Sequence, residues 1–332
     1  MKELQAIIER LQRDANAPHA LATLVVVEGS SYRRAGARLL VNSTGESTGS
    51  LSGGCLEADV IERAKTVLAE GQPQTVIYDT TDENDLVWGV GLGCQGIVRV
   101  FIERLPPRPA WVGELARNFA ERRATLLRVI WEGNDSALLG TRGEESVESD
   151  AAENVTVFCD NMAPPTRLLI FGAGDDAQPL VRLAKELGWR VEIIDPRPAF
   201  AIAARFPNAD CVTVAQPENA ATMPLDAWTV AVVMSHRYAF DAPLIRALLP
   251  RPLKYIGLLG PRKRSEKILA EIAASGTPVM TEMRQRLYAP VGLDLGGDTP
   301  EAVALAVLAE IQAVISYRDA RPLRERTRPI HA

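Results

Sequence analysis

The sequence predicts an α/β protein with an N-terminal α+β domain followed by a C-terminal domain built on a parallel sheet. Three observations carry this. The chain has 332 residues, more than one ordinary core organises and a usual size for two domains. After residue 166, short apolar strands and amphipathic helices alternate, the pattern of a parallel sheet covered on both faces. The first strand of that half also runs through Gly172-Ala-Gly174 straight into a helix.

Residues 4–11 place apolar side chains at helical spacing. Residues 20–27 and 37–41 read as strands, followed by a polar, glycine-bearing turn at 42–49. Leu56, Val60, Ile61, Ala64 and Leu68 predict a helix over 56–69, and strands follow at 75–78 and 97–102. Leu105-Pro-Pro-Arg-Pro109 breaks the chain, because prolines donate to neither helix nor sheet. A helix at 110–123, strands at 125–131 and 155–159, and an acidic surface loop at 143–153 complete a first domain over 1–160. The stretch Asp160-Asn-Met-Ala-Pro-Pro-Thr166 reads as a linker to a second domain over 166–317. There, strands are expected at 167–171, 190–194, 229–234 and 254–258, and helices at 176–187, 242–249 and 262–274. A last helix opens at Asp298-Thr-Pro-Glu301, where a side-chain cap and a first-turn proline are both available, and runs to about residue 317. The basic tail, 318–332, is expected to be frayed and solvated.

Apolar residues make up 47% of the chain and charged residues 24%, an ordinary globular composition. A formal charge of −5 and a pI near 5.5 supply no global basic field for nucleic acid or an anionic membrane. The N-terminus lacks the apolar core of a secretory signal, and the longest apolar run, 302–314, carries Glu310. A cytoplasmic protein is therefore expected. The four cysteines form no CxxC pair, and Cys159 and Cys211, in strand-like runs, are expected to be small buried residues.

Leu168-Leu-Ile-Phe-Gly-Ala-Gly-Asp-Asp-Ala177 is a strand, then G-x-G-x-x-A, then a helix, the turn of a Rossmann-type domain. Gly172 would permit the tight turn, Gly174 would let backbone amides approach a diphosphate, and Ala177 would let the helix pack close. Asp195 ends the second strand roughly 20 residues further on and fits a ribose-hydroxyl acceptor. Asp175 and Asp176 oppose this reading, since carboxylates repel a diphosphate; the alternative is a strand–helix turn without a ligand. His236, in Met234-Ser-His-Arg-Tyr238, would sit at the carboxyl end of a strand, as a ligand contact or a structural hydrogen-bonding residue. Arg262 and Lys263 open a helix, where the dipole disfavours cations. A bound anion would relieve that conflict; a solvated basic turn is the other reading.

Two loops of the first half have the same flavour. Glu28-Gly-Ser-Ser-Tyr-Arg-Arg-Ala-Gly-Ala-Arg38 concentrates Arg33, Arg34 and Arg38. Gly49-Ser-Leu-Ser-Gly-Gly-Cys-Leu-Glu57 runs into a helix, and successive amides in such a loop form an anion-binding nest. Cys55 would lie at the helix N-terminus, a setting that lowers thiol pKa, unless it is only a small packing residue. Gly89-Val-Gly-Leu-Gly-Cys-Gln-Gly96 centres on Cys94.

Val27-Glu-Gly-Ser30, Gly36-Ala-Arg38, Ser52-Gly-Gly-Cys-Leu-Glu57, Gly91-Leu-Gly-Cys94, Phe171-Gly-Ala-Gly174, Ile194-Asp-Pro-Arg197, Met234-Ser-His236, Gly260-Pro-Arg262 and Gly292-Leu-Asp-Leu-Gly-Gly297 occur in that order. Through them the chain resembles the xanthine dehydrogenase accessory factor family (XdhC/CoxI). The resemblance implies a chaperone, more than a catalyst, that binds molybdenum cofactor and assists its sulfuration and insertion into a xanthine dehydrogenase-type molybdenum hydroxylase. It also implies a homodimer and leaves room for a cysteine desulfurase as sulfur donor. By position, Cys55 and Cys94 become the candidates for contact with the molybdenum end and for any sulfur chemistry. Arg33, Arg34 and Arg38 become candidates for the pterin phosphate, with Gly53 and Gly54 in the same cofactor-binding set. Gly172, Gly174, Asp195, His236, Arg262 and Lys263 would bind the cofactor, or NAD(P) or another nucleotide. The chain departs from the family pattern at Asp175, where His is common, at Tyr32, where proline is, and at Ser52, where glycine is. Two other readings stay open: an NAD(P)-dependent oxidoreductase with His236 near the hydride path, and a nucleotide-sensing module.

Overall fold

The structure, a computed structural model, describes residues 1–79, 96–144 and 154–327. It divides into two units, Lys2–Pro164 and Pro165–Glu325.

The first unit opens with α1 (Lys2–Arg13), which buries Leu4, Ile7, Ile8 and Leu11 along one face. Its larger sheet combines β1 (His19–Gly29), β2 (Arg38–Asn42), β3 (Ser47–Gly49), β4 (Gln74–Asp79) and β5 (Gly96–Arg104). The order is β3-β2-β1-β5-β4, with every neighbour antiparallel. Period-2 alternation splits these strands into two apolar faces. Ala20, Ala22, Leu24, Leu39, Val100 and Ile102 pack against Val60, Ala64 and Val67 of α2 (Glu57–Glu70). On the opposite face, Leu21 and Leu40 meet α1 and the Trp111, Val112 and Leu115 side of α3 (Ala110–Ala120). Val25 and Phe101 pack there on Val129 and Trp131 of a second sheet, of order β7-β6-β8. Its strands are β6 (Thr125–Gly133), β7 (Gly140–Arg142) and β8 (Val155–Met162). Polar links join the sheets, among them Arg38 with Asp160, Glu103 with Thr141, and Thr75 with the Trp131 carbonyl.

The second unit is a six-stranded parallel sheet of order β11-β10-β9-β12-β13-β14. The strands are β9 (Arg167–Phe171), β10 (Arg190–Asp195), β11 (Cys211–Val214), β12 (Thr229–Val233), β13 (Ile256–Leu258) and β14 (Leu287–Tyr288). Counted within the unit, this is the doubly wound order 3-2-1-4-5-6. Leu168, Ile170, Val191, Ile193, Val230 and Val232 are covered by α4 (Ala177–Glu186) and α8 (Pro300–Ile315). Leu169, Phe171, Ile194, Ala231 and Val233 are covered by α5 (Tyr238–Leu248) and α6 (Arg262–Ala274). Burial on both faces explains why these strands are continuous apolar runs. The short α7 (Thr281–Gln285) precedes β14. Thr299 caps α8 by accepting from the Ala302 amide, with Pro300 in the first turn.

The chain winds outward from β9 in both directions, so the strand order reverses between β9 and β12. Their carboxyl ends therefore flank the crevice where doubly wound sheets bind ligands. Three short strands (β3, β7, β14) and α7 have no counterpart in the sequence reading, because two to five residues are too few to show a period. Cys159 and Cys211, expected to be buried, are exposed. Each stands on an edge strand, β8 or β11, so its run has the composition of a strand without the cover of a central one. Among the described residues no helix is long and apolar enough to cross a membrane.

Candidate functional site

In the second unit the site grows from the turn after β9. Gly172 has φ +132, and a Cβ there would stand 2.5 Å from the Met234 carbonyl oxygen and 2.9 Å from the Ser235 nitrogen. Only glycine lets the turn lie against the end of β12, which is how the two sides of the crevice come together. Gly174 has a different constraint: a Cβ there would meet the Asp176 carboxylate. Among the described residues, the amides of Gly174, Asp175 and Asp176 donate to no protein acceptor. The Ala173 amide donates to Asp195 Oδ2 at 2.8 Å.

Asp195 does not stand open as a ribose acceptor. It is 0% exposed, and Arg197 donates to it through its backbone nitrogen at 2.9 Å, Nε at 2.8 Å and Nη2 at 2.6 Å. Burial alone would raise its carboxyl, but the Arg197 guanidinium and the Ala173 and Arg197 amides hold it below the usual carboxylate range. Its oxygens instead brace the glycine turn. The signal was local, since Arg197 follows two residues later, but only the folded loop shows that its side chain curls back.

The two carboxylates expected to repel a phosphate are drawn aside. Arg205 Nη2 donates to Asp175 Oδ1 at 2.7 Å, while its Nη1 holds the Ala173 carbonyl at 2.8 Å. His236 Nε2 lies 2.6 Å from Asp176 Oδ2, on a backbone in the left-handed region (φ 59) that a histidine rarely adopts. His236 is placed at the carboxyl end of β12, 59% exposed. Sequence reasoning missed both partners, Arg205 and Asp176 as an acceptor for His236, because neither pairing has a spacing signature.

It also missed Asp241. This residue is 0% exposed on α5, accepts from Ser235 Oγ at 2.5 Å and pairs with Arg264 Nη1 at 2.7 Å. Burial pushes its carboxyl up, against the Ser235 hydrogen bond and the Arg264 charge. Asp241 thereby ties the loop that carries His236 to the start of α6. The cations at the start of α6 divide. Arg264 is committed to Asp241, whereas Arg262 and Lys263 stay exposed with no side-chain acceptor among the described residues.

In the first unit, the loop before α2 is arranged around Glu57. Glu57 Oε1 accepts from Ser50 Oγ at 3.0 Å, the Leu51 amide at 3.0 Å and the Ser52 amide at 2.7 Å, and Oε2 accepts from Ser52 Oγ. Burial opposes the charge, yet the hydrogen bonds from Ser52 and Ser50 bring the carboxyl down to about 2. Ser52 Oγ in turn accepts from the amides of Gly54, Cys55 and Leu56 at 3.1–3.2 Å. The anion nest expected here is therefore already occupied by the chain's own Ser52 and Glu57. Cys55 is a free thiol, half-buried. The Tyr32 ring lies 3.8 Å from the Cβ position of Gly53, so Tyr32 covers one flank of the loop, and nothing crowds Gly54. Cys94 and residues 89–95 of its loop lie outside the described residues.

The three arginines expected to hold the pterin phosphate separate as well. Arg38 is 4% exposed, bonded to Asp160 Oδ2 at 2.8 Å and the Gly36 carbonyl at 2.9 Å. It is a link between two sheets. Arg33 forms a two-point pair with Glu3 at 2.5 and 2.9 Å, and this holds the Glu3 carboxyl below its ordinary range. Arg34 is exposed.

Fold and site together define a two-unit protein whose second unit is a Rossmann domain with a glycine turn at its switch point. The XdhC Rossmann domain model matches residues 168–311, and the XdhC and CoxI family model matches 12–79. A Bacillus subtilis protein named as a probable xanthine dehydrogenase subunit is 35% identical over 313 residues, 88% of this chain and 91% of its own length. The Escherichia coli molybdenum cofactor insertion chaperone PaoD is 24% identical over 90% of this chain and 84% of its own. A crystal structure described as a xanthine dehydrogenase from Bacillus halodurans superposes with a TM-score of 0.80 at 30% identity, covering 98% of this chain and 99% of the other. The chain belongs to the XdhC and CoxI family.

Proposed function

We propose that this chain is an accessory protein that binds molybdenum cofactor as cargo in the cytoplasm and assists its sulfuration and insertion into a xanthine dehydrogenase-type molybdenum hydroxylase. One observation carries the reading: the chain aligns over nine-tenths of its length with a relative named for insertion of this cofactor. Chemistry of the right kind is present. A half-buried free thiol, Cys55, offers a soft donor to a molybdenum centre. The amides of Gly174, Asp175 and Asp176 and the cations Arg262 and Lys263, without acceptors among the described residues, offer charge and donors to a phosphate. A cysteine desulfurase as sulfur donor and a second copy of the chain as partner belong to the same proposal. The saturated Asp195 speaks against use of the domain as an ordinary NAD(P)-dependent oxidoreductase.

The test is Cys55→Ser in the full chain, co-expressed with a molybdenum hydroxylase. Two quantities are read: pterin released from the purified accessory protein, and specific activity of the client. The expected result is client activity reduced about tenfold or more with the chain still folded, in keeping with loss of a residue that touches the cargo. Full client activity with parental pterin content in the variant would remove Cys55 from the site.

A further inference from the structure

We propose that Arg197 decides which ligands the Rossmann crevice admits, by filling the acceptor positions that a nucleoside ribose needs. Asp195 stands at the end of the second strand of the unit, where this fold accepts ribose hydroxyls. An ionised carboxylate offers about four acceptor positions. Here Oδ1 receives the Arg197 amide at 2.9 Å and Arg197 Nε at 2.8 Å, and Oδ2 receives the Ala173 amide at 2.8 Å and Arg197 Nη2 at 2.6 Å. No acceptor position is left, and the side chain is 0% exposed.

Displacement by a ribose is unfavourable for a physical reason. A sugar hydroxyl gives a neutral donor, whereas Arg197 supplies two parallel charge-assisted bonds to the same carboxylate. Arg197 is also held from its outer side, its guanidinium 3.9 Å from the Phe200 ring centroid. Arg205 lies 5.3 Å from the same ring and fastens the turn through the Ala173 carbonyl. The sequence pattern of a dinucleotide site is thus present while its ribose half is self-occupied. The crevice rejects ligands recognised through a ribose diol and keeps the amides of residues 174–176 for ligands recognised by phosphate alone.

Calorimetric titration of the full chain with ADP-ribose tests this, comparing parent with Arg197→Ala. The variant should bind at least about tenfold more tightly than the parent, the scale of a charge-assisted hydrogen bond gained by the ligand. Affinities within about twofold of each other, or no binding to either, would overturn the proposal. Arg197→Gln, which keeps one donor and removes the charge, is the variant to read if Arg197→Ala does not fold. It should show the same direction of change, and parental affinity in a folded Arg197→Gln chain would also count against the proposal.

Discussion

The loop before α2 and the turn before α4 look alike as sequence, each a run of small residues leading into a helix, yet they use their backbone amides in opposite ways. In the first, Ser52 Oγ and the Glu57 carboxylate take the amides of residues 51, 52, 54, 55 and 56. In the second, Asp195 takes the Ala173 amide alone, and the next three amides have no protein acceptor among the described residues. An acceptor inside the loop saturates it, whereas an acceptor one strand away leaves the helix N-terminus open. Glycine content by itself therefore does not mark an anion site; the nearest side-chain oxygen decides.

The sharpest way to break this comparison is at the glycines. Gly172→Ala forces a Cβ against the Met234 carbonyl at a φ of +132, and should cost about 3 kcal/mol or more. Gly54 has φ +111 but nothing within 4 Å, so Gly54→Ala should cost only the left-handed conformation, about 1–2 kcal/mol. Urea denaturation of both variants checks this, and equal losses would mean that the close approach at Gly172 is not what that turn requires.

Next in size is Glu57→Gln, which leaves loop donors weakly satisfied and should cost about 2 kcal/mol near neutral pH. Because the folded carboxyl lies near 2 and its ordinary value is 4.5, the stabilisation is complete above about pH 4.5. It is lost as pH falls from there towards about 2. Parent stability should therefore decline across that window, with a shallower slope in Glu57→Gln, as read from urea midpoints at successive pH values. Parallel slopes would show that the loop is not organised by this carboxylate.

The smallest effect is expected where the second helix start is open. Replacing Arg262 and Lys263 together with Gln should weaken molybdenum cofactor binding about three- to fivefold and flatten its salt dependence. Stability should stay within about 0.5 kcal/mol, since neither side chain has a partner among the described residues. Unchanged affinity and salt slope would leave these residues as a solvated turn.

Much of the fold was legible. Strands buried on both faces announce themselves as apolar runs, and β9, β10, β12 and β13 lie where such runs predict them. Gly172 was legible too, because its turn has a fixed position relative to strand and helix. The partners of Asp195, Asp176 and Arg38 were not legible, for a common reason. A charged residue beside a glycine turn reads as a ligand contact unless its partner is visible, and the partners are Arg197 folded back, His236 sixty residues away and Asp160 on another sheet.

By itself the sequence determined the class of fold, the switch-point turn and the family, because these rest on period, steric necessity and ordered motifs. The tertiary structure alone decided which polar groups remain available to a ligand. Pairing in the folded loops, some of it local and some across long sequence separations, engages Asp195, Asp176, Asp241 and the amides before α2, and leaves the amides of residues 174–176 with Arg262 and Lys263. The physical reason is that a hydrogen-bonding group has a few acceptor or donor positions, and what fills them depends on what the fold brings within about 3 Å.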